Sequence, residues 1–156
     1  VVRGDKTSKT AIATAMQTGK KVGKIAALSG VCPGFIGNRI QFAILREAWS
    51  LWASGAASAD AIDAVVRNSI GRRLAVTGPI ESADLAGLKT MVQFAEFLQP
   101  NLDTSSSPPR NVVTRNESLD GCVHERDSHS WTALLAARKE ELLRWLVNDR
   151  QHRNDT

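Results

Sequence analysis

The chain has 156 residues, about the length of one domain, and its 42% hydrophobic and 23% charged residues are typical of a globular protein. Its formal net charge of +4 is mildly basic, but with no Tyr and only 5% aromatic residues it lacks the stacking platforms of single-stranded nucleic-acid binders. Two cysteines, Cys32 and Cys122, cannot form a disulfide framework, which excludes the disulfide-rich secreted class.

The opening residues carry charge early and contain no apolar run, which is not typical of a signal peptide. The longest apolar region, residues 35–52, is interrupted by charged and polar side chains that do not suit a lipid core. We therefore expect a soluble, cytoplasmic protein that binds neither membrane nor nucleic acid.

Capping residues mark the helices predicted in the first half. Thr7 or Ser8 caps a helix that runs to about Lys21, and Ser58 caps another that runs to about Ser69. Between them, Lys24 to Ser29 is a short strand or an extended connector. A Pro-Gly turn then starts a long helix at about residue 35. That helix is apolar on most sides, which predicts a central element packed by several neighbours.

The second half begins with a predicted loop over residues 71–77, followed by two helices over 79–86 and 88–98. A Ser- and Pro-rich segment and a polar stretch without clear period follow, and Ser128 or Ser130 caps a final helix. The predicted organisation is a helical core over 1–103, a polar loop over 104–127, and a C-terminal helix and tail over 128–156.

Most candidate motifs for chemistry fail. The Gly19–Lys24 segment lacks the hydroxyl residue that follows the lysine of a phosphate loop, and the sequence holds no G-x-G-x-x-G fingerprint. Cys122, His124 and His129 form a metal-like cluster, but their spacing matches no common zinc pattern. We interpret them as ordinary loop residues and expect no metal.

Asn38 stands out in the segment Pro33-Gly34-Phe35-Ile36-Gly37-Asn38-Arg39. Asparagine is unfavourable inside a helix, and an unpaired amide among apolar neighbours costs about 1–3 kcal/mol. The side chain therefore requires a partner, which is the backbone, a neighbouring domain or a substrate. The competing interpretation is that Asn38 only fixes the turn before the helix.

This segment resembles the P-G-F-x-x-N-R signature of the C-terminal domain of the 3-hydroxyacyl-CoA dehydrogenase family. Residues 78–88, GPIESADLAGL, are similar to the family's G-P-F-E-x-x-D-x-x-G-L block. Residues 1–8 look like the segment that leaves the family's nucleotide-binding domain. The resemblance covers roughly residues 1–100, and residues 71–77 are closer to the branch of lambda-crystallin-like L-gulonate dehydrogenases.

The resemblance implies an all-α, multi-helix bundle like the C-terminal domain of 6-phosphogluconate dehydrogenase, with the Rossmann domain absent from this chain. In the family, hydride moves between a hydroxyacyl carbon and NAD, and a His held by a Glu acts as general base. Both residues belong to the nucleotide-binding half. All three histidines of this chain, His124, His129 and His152, follow the matched region, so none of them is that base.

By the same resemblance, Asn38 supports catalysis and binds substrate from the interdomain cleft, and Gly78, Pro79 and Ile80 line the acyl end. The implied protein is an NAD-dependent oxidoreductase of fatty-acid or hydroxy-acid metabolism. NAD is held mainly by the missing N-terminal domain, which is supplied in cis or in trans. The substrate is an acyl-CoA or a hydroxy acid, the assembly is a homodimer, and this chain is inactive alone. The alternative is a stand-alone, non-catalytic helical dimerisation or partner-binding module.

Overall fold

The computed structural model describes residues 1–118 and 121–154, and the all-α prediction is confirmed there. Two strands of two residues each are the only sheet among these residues. The elements are, in chain order, β1 (Val2–Arg3), α1 (Lys9–Lys21), β2 (Ser29–Gly30), α2 (Phe35–Ala53), α3 (Ala59–Asn68), α4 (Ile70–Leu74), α5 (Pro79–Ala86), α6 (Leu88–Leu98), a 3-10 turn (Gln99–Asn101), α7 (Arg110–Glu117) and α8 (Ser128–Asn154).

The predicted caps begin α1 and α3. The Ser8 hydroxyl accepts a hydrogen bond from the Ala11 N–H at 3.1 Å, and the Ser58 hydroxyl accepts one from the Ala61 N–H at 3.2 Å. Each bond satisfies a backbone donor that has no partner within the first helical turn. Both helix starts are therefore encoded locally, as predicted.

The strands β1 and β2 form a parallel pair in which Val2 lies opposite Ser29 and Arg3 opposite Gly30. The terminal ammonium of Val1 also donates to the Ala27 carbonyl at 2.7 Å. Of the segment predicted as a strand or a connector, only its last residue lies in β2, and the rest is connector.

Residues 71–77 were predicted to form a loop, which is wrong for the part that α4 occupies. A Cβ at Gly71 would lie 2.9 Å from the carbonyl oxygen of Val66, which is closer than real Cβ atoms come to such a group. Gly71 therefore permits α4 to follow α3 closely, and the glycine that resembles a loop signal is a packing residue.

Two further predictions about the second half are wrong. Helix α7 lies inside the stretch predicted as a polar loop, and it begins directly after Pro109. Helix α8 is capped by Asp127, whose Oδ1 accepts a hydrogen bond from the Ser130 N–H at 2.7 Å, and not by Ser128 or Ser130. Aspartate is as good an N-cap as serine, and its charge also suits the helix dipole.

The chain divides into two compact units. The first contains residues 1–39 and the segment from Glu125 onward, and the second contains Ile40–His124. The strand pair, α1 and α8 belong to the first unit, and α3 to α7 belong to the second. Helix α2 starts in the first unit and continues in the second.

None of the residues whose side chains the structure describes is buried, and this corrects the prediction for α2. Instead of being covered by neighbours, Phe42 is 59% exposed, and Phe35, Ile36 and Ile40 are also exposed. The apolar faces of α2 therefore lack cover from the described part of this chain. The prediction that Asn38 lies in a packed apolar setting is wrong for the same reason.

Candidate functional site

The first candidate position is the tight turn that leads into α2. Gly34 has φ +76° and Phe35 has φ +50°, and the Phe35 N–H donates to the Cys32 carbonyl at 3.0 Å. A left-handed conformation costs a residue with a Cβ about 1–2 kcal/mol, so Phe35 holds local strain that the turn requires. This turn fixes where the first turn of α2 begins.

Asn38 is the fourth residue of α2, and its side chain is exposed. Its amide makes no hydrogen bond to any residue in the described part of the chain. The competing interpretation, in which the side chain fixes the preceding turn through a hydrogen bond, is therefore not supported by a contact. A free amide offers two donors and one acceptor to a group from outside the chain.

The second candidate position is the start of α5, where Gly78, Pro79 and Ile80 occupy one turn. The Gly78 N–H donates to Glu81 Oε2 at 2.8 Å, and the Thr77 and Ser82 hydroxyls lie 2.8 Å apart. These contacts hold the turn from both sides of Gly78. The Ile80 side chain remains 77% exposed, so the turn presents an apolar side chain beside a rigid backbone.

The two candidate positions fall in different units. Asn38 belongs to the first unit, and Gly78, Pro79 and Ile80 belong to the second. The structure thus brings the three residues of the α5 turn together, and it places Asn38 on a separately described body.

Sequence reasoning missed two connections within the second unit. His124 Nε2 lies 3.5 Å from Asp60 Oδ1 and 3.5 Å from Asp63 Oδ2. Both aspartates sit in the first turns of α3, where they were assigned only to the helix dipole. The three-residue spacing on one helix face was the available signal for a shared partner, although nothing in the sequence identified that partner as His124.

The second connection joins α2 to the end of the 3-10 turn. Glu47 Oε2 accepts a hydrogen bond from the Asp103 N–H at 2.9 Å. Hydrogen bonds from the Ser105 N–H and then from its hydroxyl lower the pKa of the Asp103 carboxyl. Glu47 therefore has a structural role, and its position 56 residues from Asp103 left no local signal.

Other classes of site were also searched for. Among residues 1–118 and 121–154, no three His, Cys, Asp or Glu side chains are grouped so that they could hold a metal ion. Cys32 and Cys122 are both free thiols. Within the same residues, no helix combines the length and the apolar character needed to span a bilayer.

Comparison with known proteins places these features in a family. The family model "3-hydroxyacyl-CoA dehydrogenase, C-terminal domain" matches residues 34–119, which include both candidate positions. L-carnitine dehydrogenase of Streptomyces coelicolor is 32% identical over 144 residues, covering 88% of this chain and 45% of that protein. The peroxisomal bifunctional enzyme of Danio rerio is 42% identical over 113 residues, covering 70% of this chain and 15% of that protein.

A solved structure is similar over almost the whole chain. The crystal structure of 5-formyl-3-hydroxy-2-methylpyridine 4-carboxylic acid 5-dehydrogenase, an NAD⁺-dependent dismutase, matches with a TM-score of 0.84 and 26% identity. The match covers 93% of this chain and 50% of that one. The chain thus spans half or less of the length of these relatives. Since the family model matches more than half of its residues, the chain belongs to the 3-hydroxyacyl-CoA dehydrogenase family, in the part that corresponds to the C-terminal domain.

Proposed function

We propose that the chain is the substrate-binding and dimerisation domain of an NAD-dependent dehydrogenase that oxidises the secondary alcohol of a hydroxyacyl-CoA or hydroxy acid, and that it does not turn over alone. The observation that carries this proposal is Asn38. Its amide is exposed, makes no hydrogen bond within the described chain, and stands on a helix turn fixed by two left-handed residues. Such an amide is arranged for a partner outside the domain.

The chemistry of the amide defines what that partner is. An asparagine N–H donates to an alcohol or carbonyl oxygen, and its carbonyl accepts from the N–H of an imidazole. In the proposed enzyme, Asn38 donates to the reacting oxygen of the substrate or accepts from the catalytic histidine of the nucleotide-binding domain. Either bond orients the groups that exchange a proton when hydride moves.

The turn at the start of α5 supports an acyl-binding role. Gly78 and Pro79 present no polar side chain, and Ile80 exposes 77% of its apolar surface. An apolar rim of this kind suits a hydrocarbon chain or a short aliphatic acid. Relatives of this chain include proteins called 3-hydroxybutyryl-CoA dehydrogenase and L-carnitine dehydrogenase, which supports both substrate classes.

The residues of this chain do not fit an NAD site. A dinucleotide site needs a glycine-rich turn between a strand and a helix N-terminus, and the sequence has no G-x-G-x-x-G. The described residues form only two strands of two residues each. We therefore assign NAD binding to a nucleotide-binding domain in cis or in trans, and no step through NAD is derived from this chain.

The exposed apolar side chains support dimerisation. Within the second unit, α6 exposes 57% of Phe94 and 72% of Phe97, and Phe42 of α2 is 59% exposed. Large apolar side chains left uncovered in this way mark protein interfaces. A second copy of the chain and the nucleotide-binding domain are the proposed covers.

The test uses the complete native protein with acetoacetyl-CoA and NADH as probes. Asn38→Ala is expected to lower turnover about 100-fold, the scale of a lost hydrogen bond that is made in the transition state. Unfolding by urea should change little, because the exposed amide makes no contact within its own domain. Gln41→Ala is the matched control, since Gln41 is an exposed amide on the same helix.

Two results would contradict the proposal. If Asn38→Ala leaves turnover at the level of Gln41→Ala, Asn38 plays no part in the reaction. If it lowers turnover and stability together, its role is to fix the turn. Asn38→Asp separates charge from size, because a carboxylate keeps the acceptor and loses the N–H donor.

A further inference from the structure

The segment between α7 and α8 contains a contact that the proposed function does not use. The His124 side chain is 16% exposed, and its Nε2 atom is inaccessible to solvent. That atom lies 3.5 Å from one carboxylate oxygen of Asp60 and 3.5 Å from one of Asp63. The two aspartates are one helical turn apart, so they share a face of α3 and approach the same nitrogen.

The charge state of the imidazole decides what this contact is worth. A neutral imidazole has one N–H, and if Nε2 carries the lone pair, both carboxylates face it with like polarity. An imidazolium has an N–H at Nε2 and a positive charge that both carboxylates stabilise. The geometry therefore favours the charged ring.

The surrounding charged groups do not reverse that preference. On α3, the nearest described cation is Arg67, whose Nε donates to the backbone carbonyl of Asp63 at 3.2 Å. Next to His124 in the chain, Glu125 and Arg126 carry opposite charges. The aspartates are 75% and 52% exposed, so solvent weakens the attraction to the ring without removing it.

We propose that His124 is a pH-dependent clasp that holds residues 121–124 against α3 when the ring is protonated and releases them when it is neutral. His124 is the last residue of the second unit. The clasp thus decides whether the end of that unit is fixed before the chain continues toward α8. This inference does not depend on the proposed function.

The direction of the pH effect follows from the charges. A histidine side chain changes charge between about pH 5 and pH 8, so the clasp is closed at the lower end of this range and opens as the pH rises. Below about pH 4, carboxylates also become protonated and the attraction is lost. The clasp has a window of closure in mildly acidic solution.

Hydrogen exchange read by mass spectrometry on the complete protein tests the clasp. After correction for the intrinsic exchange rate at each pH, amides of residues 121–127 should be about fivefold better protected at pH 6 than at pH 8, the scale of a partly exposed ion pair. His124→Gln should give low protection at both pH values. The double variant Asp60→Asn and Asp63→Asn should behave alike, because it keeps the side-chain shapes and removes the charges.

His129→Gln is the matched control, since His129 is an exposed histidine in the first turn of α8. It should keep the pH dependence of the native protein. The proposal is overturned if the native protein protects residues 121–127 equally at both pH values. It is also overturned if the fivefold difference persists in His124→Gln, or if the double aspartate variant keeps it. Protection within α3, measured in the same samples, shows that each variant is folded.

Discussion

Two glycines three residues apart, Gly34 and Gly37, are expected to respond to alanine in opposite directions. Gly34 has φ +76°, and an added Cβ would meet its nearest atom, the Arg39 nitrogen, at 3.5 Å, which is an ordinary contact. Gly37 lies in the first turns of α2 outside the left-handed region, and an added Cβ would meet nothing within 4 Å. Space is thus available at both positions, and only the backbone conformation differs.

The magnitudes follow from that difference. At Gly34, alanine meets the left-handed penalty of about 1–2 kcal/mol, reduced by its smaller conformational entropy in the unfolded chain. We expect the free energy of unfolding to fall by about 1 kcal/mol. At Gly37, the entropy effect acts without the penalty, so the free energy of unfolding should rise by about 0.4–1 kcal/mol. The two variants should differ by roughly 2 kcal/mol.

Urea denaturation of the two variants and the native protein, analysed with a common slope, measures these changes. Gly34→Asn is the control, because asparagine tolerates the left-handed region better than alanine and should lose less stability. A neutral Gly34→Ala together with a destabilising Gly37→Ala would refute the reasoning, since the left-handed turn would then not precede α2.

Two further predictions concern helix caps. Ser58→Ala removes the hydroxyl that accepts the Ala61 N–H, and urea denaturation should show a loss of about 1 kcal/mol; an unchanged midpoint would show that this cap contributes nothing. Hydrogen bonds from the Ser130 N–H and then its hydroxyl lower the pKa of Asp127 below its ordinary value of 3.8. The cap should therefore stabilise α8 above that pH and be lost as the pH falls through the lowered value. Circular dichroism between pH 5 and pH 2 should show this loss in the native protein and not in Asp127→Asn.

The parts of the fold that were predicted from sequence are those encoded locally. Serine hydroxyls at positions 8 and 58 cap their helices through bonds that reach three residues ahead, so the sequence alone locates both helix starts. The long helix after Pro33 and Gly34 was found for a similar reason, because the turn chemistry and the apolar spacing agree.

The parts that were missed depend on contacts between elements or on polar helices. Gly71 permits a close approach to the Val66 carbonyl, and no local pattern distinguishes that role from a loop glycine. Helix α7 has two apolar residues, Val112 and Val113, so apolar periodicity gave no signal. The contact of His124 with α3 joins residues about 60 positions apart in the sequence, which spacing rules do not reach.

The candidate site shows the same division. The motif around Asn38 identified the residue, and the structure adds that its amide is exposed and has no hydrogen-bond partner among the described residues. The burial predicted for Asn38 was wrong because the apolar surface of α2 is not covered by the described part of this chain. Amphipathic spacing predicts that a face is covered, but it does not say which chain or domain supplies the cover.

The central claim is that these residues work as the C-terminal domain of a larger dehydrogenase, and the intact mass of the native gene product tests it most directly. The chain spans 45% of the L-carnitine dehydrogenase and 50% of the solved relative, so a native mass roughly twice 16.9 kDa is expected. Mass spectrometry under native conditions would also detect a nucleotide-binding domain held as a separate chain. A native product of 16.9 kDa that binds no such chain would contradict the account.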